Sequence, residues 1–151
     1  MIHKSLEDMK IALYAGSFNP FTVGHMSILR RGLQLFDRVV VAVGVNAEKQ
    51  AEAVANIDEL KQKLSDMPGV DVILWSGLTV DAATQVGAKW LLRGVRSVAD
   101  YEYERNLADI NKAISGIDTV ILFAEPELSM VSSSMVRELR RYGRDVSDFV
   151  I

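Results

Sequence analysis

Five short runs along the chain are apolar almost without interruption: "KIALYAG" (Lys10–Gly16), "RVVVAVGV" (Arg38–Val45), "VDVILWS" (Val70–Ser76), "KWLLRGV" (Lys89–Val95) and "TVILFA" (Thr119–Ala124). A strand with one wet face alternates apolar and polar residues. Runs without that alternation predict strands buried on both faces, as in parallel sheets. Segments with helical spacing lie between and after them, at Gly24–Phe36, Ile57–Met67, Thr79–Val86, Val98–Ile114 and Ser133–Tyr142. Parallel neighbours need long crossovers, so this alternation predicts βαβ units and an α/β, doubly wound, five-stranded parallel sheet. There is no internal repeat, low-complexity tract or linker, and the 151 residues (1–151) read as one domain large enough to bury a core. The stretch Glu48–Asn56 is polar and alanine-rich and reads either as a flap or as an early helix turn.

In sheets of this kind ligands bind at the carboxyl ends of the strands, near the point where strand order reverses. The unusual polar residues fall there, at 16–25, 46–49, 77–79, 93–96 and 125–134, each just after a strand. The first of these segments, "GSFNPFTVGH", runs into a helix. Free amides at a helix start favour an anion, Gly16 and Gly24 let a phosphate approach the backbone, and Ser17 and Thr22 add hydroxyls. His25 projects near the same anion, and an imidazole can donate a hydrogen bond in either charge state. The plainer account makes Thr22 a helix cap and His25 a surface residue of the first turn. The loop is neither a Walker A nor a GxGxxG motif.

Arg93 and Arg96 lie three apart beyond the fourth strand. Two guanidinium forks clamp a phosphate well, and they could equally form ion pairs with Asp100, Glu102 or Glu104. Ser132, Ser133 and Ser134 precede the last helix, where one serine suffices as a cap and three offer further donors. Arg137, one turn on, could reach the same anions or face water; Trp75 and Trp90 read as core.

Composition narrows the classes. A net charge of −3 and a pI near 5.4 argue against broad binding to nucleic acid or to an anionic membrane. The absence of cysteine excludes disulfides, thiolate metal sites and thiol nucleophiles. No apolar run approaches membrane-spanning length, and "MIHKSLEDMK" has no apolar signal core, so the expected location is the cytoplasm.

"GSFNPFTVGH" resembles the (T/H)xGH loop of the nucleotidyltransferases. "LLRGVRSVADYEYERNLADINK" (Leu91–Lys112), "SSSMVREL" (Ser132–Leu139) and "GRDVSDFV" (Gly143–Val150) resemble further blocks of bacterial phosphopantetheine adenylyltransferases, in the same order. Asn19 stands where those enzymes usually have Asp, and "GSFNP" is also common in nicotinate-nucleotide adenylyltransferases. The resemblance implies a Rossmann-like nucleotidyltransferase fold and transfer of the adenylyl group of ATP to 4′-phosphopantetheine. In that reading His25 and Lys49 are catalytic. Ser17, Phe18, His25, Gly94, Val95, Arg96, Glu104 and the run Ser129, Met130, Val131, Ser132, Ser133, Ser134 form the ATP side. Ser17, Lys49, Thr79 and Arg93 form the acceptor side. No protein nucleophile is needed; catalysis is positioning and charge stabilisation. Mg²⁺ is expected on the nucleotide's phosphates rather than in a protein cage. The resemblance also implies a homohexamer and feedback by coenzyme A. The alternatives are a transferase acting on another phosphate acceptor and a nucleotide sensor without chemistry.

Overall fold

The computed structural model describes residues 4–45 and 50–151. Its core is a single sheet of five parallel strands: β1 (Ile11–Gly16), β2 (Arg38–Gly44), β3 (Val70–Trp75), β4 (Trp90–Val95) and β5 (Asp118–Phe123). Their order is β3-β2-β1-β4-β5. The chain builds outward from β1 through β2 to β3, then returns across the sheet to β4, so strand order reverses between β1 and β4. The helices are α1 (Val23–Gly32), α2 (Gln50–Leu64), α3 (Thr79–Val86), α4 (Val98–Ser115) and α5 (Ser133–Arg141).

Side chains of β1 alternate between two cores. Ala12 and Tyr14 face α1 and α2, where they meet Met26, Leu29, Ile57 and Leu64. Ile11 and Leu13 face α3, with Val80, Ala82 and Ala83. The expected two-sided burial holds for β1 and β2, whose side chains lie almost wholly inside. The edge strands β3 and β5 are only half-buried, because each has one neighbour instead of two.

Several features depart from the sequence-based expectation, among them the end of α2, at Leu64 rather than Met67. Helix α1 ends at Gly32 rather than Phe36; Leu33 and Phe36 still turn inward, so the apolar spacing outlasts the helix. Helix α2 starts at Gln50, seven residues before Ile57, so 50–56 adopt the helical alternative. A 3₁₀ turn at Pro126–Leu128, which apolar spacing alone does not signal, separates β5 from α5. Near the end of the chain, Phe149 accepts a hydrogen bond from the Val23 amide at 2.9 Å, and Val150 bridges Thr22, so this tail braces the start of α1.

Candidate active site

The site forms where β1 and β4 part. Its first wall is the segment from Gly16 to His25. Phe18 adopts a left-handed backbone (φ 45°), which folds its ring back over β1. A Cβ on residue 16 would lie 3.1 Å from that ring, so only glycine fits there without displacing it. Thr22 caps α1 as expected, and His25 is more than a surface residue. The Thr22 hydroxyl accepts from the His25 amide at 3.2 Å, while the Thr22 amide donates to His25 Nδ1 at 2.9 Å. This is a capping box with histidine in the third helical position, where glutamate or glutamine is usual.

That reciprocal bond defines the histidine's chemistry. An amide donates only, so Nδ1 must accept and the ring proton resides on Nε2. Burial, then the charges of Arg93 and Arg96, push the His25 pKa down to about 4. Phe18 and Phe21 flank the ring, with centroids 5.0 and 5.3 Å away. At neutral pH His25 is therefore an uncharged donor through Nε2, locked in tautomer and orientation.

Two lobes of a cleft meet beside it. The smaller, about 360 Å³, is lined by His25, Phe18, Gly94, Val95, Arg96, Val131 and the three serines. The larger, about 700 Å³, extends over the sheet between α3 and α4 and includes Thr79, Trp75, Asn111 and Glu104. Ser17, Arg93 and Arg137 line both, so they mark the junction. A Cβ on residue 94 would come within 2.9 Å of Ile28, so glycine keeps β4 close to α1 at this seam.

The serines divide their work. Ser132 caps α5 through the Met135 amide at 3.1 Å, and Ser133 donates to the Pro20 carbonyl at 2.7 Å. Arg137 donates to the Asn19 carbonyl at 2.6 Å. Helix α5 is thus fastened to the first loop, with its amino end at the smaller lobe, where exposed amides favour an anion.

Of the two arginines beyond β4, each takes a carboxylate partner. Arg96 lies 3.6 Å from Asp100. Arg93 grips Glu104 through Nε at 2.8 Å and Nη2 at 2.7 Å, and donates from Nη1 to the Ala15 carbonyl. Burial alone lowers a guanidinium's pKa, but the bonds to Glu104 outweigh it and leave Arg93 raised. The ion-pair and phosphate-clamp readings of Arg93 coexist, since an arginine has five N–H donors and three are spent here.

The remaining expected residues scatter. Glu104 lines the larger lobe and not the smaller. Met130 is 68% exposed, and the Ser129 hydroxyl turns back to Pro126. Lys49 lies outside the described residues. Trp90 packs on Phe36 as core; Trp75 is only half-buried, with its indole donating to the Leu78 carbonyl. Arg137 belongs at the centre of the site, and its signal was its place one turn after the serines.

Residues 13–139 match the family described as cytidylyltransferase-like. The chain is 50% identical over 142 residues to a phosphopantetheine adenylyltransferase of Porphyromonas gingivalis, covering 93% of each. It is 42% identical over 144 residues to one from Bacteroides thetaiotaomicron, covering 94% of this chain and 95% of that one. Among solved structures, a putative nicotinate-nucleotide adenylyltransferase from Vibrio parahaemolyticus superposes with a TM-score of 0.61 at 18% identity, over 94% of this chain and 86% of that one. At such identity the likeness is one of fold.

Proposed function

The chain belongs to the cytidylyltransferase-like family and, within it, to the phosphopantetheine adenylyltransferases; from that membership we infer how its own residues carry the reaction. The adenylyl group of ATP passes to 4′-phosphopantetheine, giving dephospho-coenzyme A and pyrophosphate. The acceptor phosphate oxygen forms a bond to the α-phosphorus as the bond to the pyrophosphate oxygen breaks. No residue becomes covalently attached.

One observation carries this reading: two lobes of unequal size meet at Ser17, Arg93 and Arg137, beside the Nε2 donor of His25. A reaction that joins two phosphate-bearing molecules needs such a junction. The nucleotide occupies the smaller lobe, its phosphates toward the α5 amino end, Arg96 and Arg137. His25 donates to the α-phosphate oxygens as charge grows there. A preorganised neutral donor needs little rearrangement at that moment. The larger lobe takes the acceptor. Its walls mix Leu13, Leu91 and Leu107 with Asn56, Asn111 and Thr79, which suits an arm of alternating methylene and amide groups. Arg93 holds the acceptor phosphate with its two unspent N–H groups. By family resemblance Lys49 shares the charge.

Magnesium is expected with the nucleotide. Glu104, the buried carboxylate of the site, has both oxygens on Arg93, and among the described residues no three His, Asp or Glu converge on one point. This donor set supports placing the ion with the substrate's phosphates rather than in a protein cage. A homohexamer is inferred from the family resemblance; the apolar Ile110, Ile114 and Phe123, which α4 and β5 leave exposed, offer surface for association between copies. Feedback by coenzyme A is supported by chemistry alone, since its pantetheine arm matches the acceptor's. A cytoplasmic location rests on the biosynthetic role; among the described residues no helix is long and apolar enough to cross a membrane.

Pyrophosphate release with ATP, Mg²⁺ and 4′-phosphopantetheine tests the reading, with nicotinate mononucleotide as the rival acceptor. Release only with phosphopantetheine is expected. Release only with the rival, or with neither, overturns it.

A further inference from the structure

Helix α4 spans eighteen residues, and Glu104 is its one fully buried side chain. A helix normally hides an apolar stripe; this one hides a carboxylate, 5% exposed. Burying an anion is costly unless it is fully paired, and here both oxygens meet the same guanidinium. The two partners differ in access. The side chain of Arg93 is 29% exposed while that of Glu104 is 7% exposed, so the arginine is the more accessible partner at the larger lobe, which both line. Arg93 is tethered from the other side by the Ala15 carbonyl of β1. Three of its five N–H groups are thereby fixed, leaving one on each terminal nitrogen for a ligand.

We propose that Glu104 is a positioning residue of the acceptor side, acting through Arg93, and not a contact to the nucleotide. This rests on the reading that Arg93 holds the acceptor phosphate. Side-on pairing at Nε and Nη2 sets the plane of the guanidinium, so its two free donors face the junction as a pair. The carboxylate also offsets the buried positive charge, so Arg93 attracts a phosphate without being saturated by any passing anion. Helix α4 becomes the arm that aims the clamp. Its position in the larger lobe predicts which substrate feels its loss.

The test is a double-mutant cycle on the whole protein, with Glu104→Gln, Arg93→Gln and the pair together, reading KM for each substrate separately. Glu104→Gln is expected to raise KM for phosphopantetheine by about tenfold or more, within the coupling of contacting residues, and to leave KM for ATP within about twofold. In the Arg93→Gln background the second change should add nothing to the acceptor KM. A rise in KM for ATP with the acceptor KM unchanged, or equal effects of Glu104→Gln in both backgrounds, overturns the proposal. An unchanged acceptor KM in Arg93→Gln alone overturns the underlying reading instead. If Glu104→Gln fails to fold with its buried cation unpaired, Glu104→Asp, which keeps the charge but shortens its reach to Arg93, must show the same acceptor-only rise; a rise confined to ATP, or no change in either KM, rejects the proposal.

Discussion

Acidifying the solution from pH 8 to pH 5 should leave the charge of His25 unchanged. An unperturbed imidazole titrates near 6.5, yet this one is held near 4 by burial and by Arg93 and Arg96. The difference amounts to roughly 300-fold in proton affinity, or about 3 kcal/mol. Its sign is definite. Between pH 6.5 and 4 the unfolded chain binds a proton at His25 that the folded chain refuses, so stability falls as pH falls through this window. Protonation would also break the bond from the Thr22 amide to Nδ1, since a charged imidazole accepts nothing. Pyrophosphate release measured from pH 4.5 to 8.5 should therefore show no limb from His25 between 6 and 7. In nitrogen-15 spectra of the imidazole, the proton should reside on Nε2 from pH 8.5 down to about pH 5. A kinetic limb between pH 6 and 7 that disappears in His25→Asn, or an imidazolium spectrum at pH 6, would refute the reasoning.

Three further outcomes are expected. His25→Ala should lower turnover by more than ~100-fold, the scale for removing one transition-state donor; it should also cost about 1 kcal/mol of stability in urea titration, because the Thr22 amide loses its acceptor. Gly94→Ala should destabilise by roughly 1–3 kcal/mol, since the new methyl meets Ile28 Cγ1 at 2.9 Å; Ile28→Ala, which removes Cγ1 and Cδ1, should make the double variant less destabilised than the sum of the two single changes. Chelating magnesium should stop turnover and leave the melting temperature of the ligand-free protein unchanged; a drop on chelation would mean the chain holds an ion of its own.

The five strands were legible because each apolar run has its own length and punctuation, and all five appear within a residue of the expected bounds. The clustering of polar residues at strand ends was legible for the same reason, since topology carries them to one edge. Interior partnerships were not. Spacing gave Arg93 several carboxylates to choose from, and only the approach of α4 to β4 selects Glu104. The start of α2 was hidden because Gln50–Asn56 is helical in propensity but lacks the apolar period that betrays an amphipathic helix. His25 was found by its loop, yet its charge state was not, because an imidazole's pKa depends on burial and on arginines some seventy residues away in the chain.

The hydrogen bonds around Thr22 start one helix and aim one catalyst, and the residue itself is 1% exposed. Fraying of the first turn of α1 and misdirection of the imidazole are therefore a single event. Local openings of this kind need less free energy than global unfolding. On warming, the enzyme should fall silent while its sheet is still intact, so the temperature at which turnover fails belongs to one helical turn rather than to the five strands behind it.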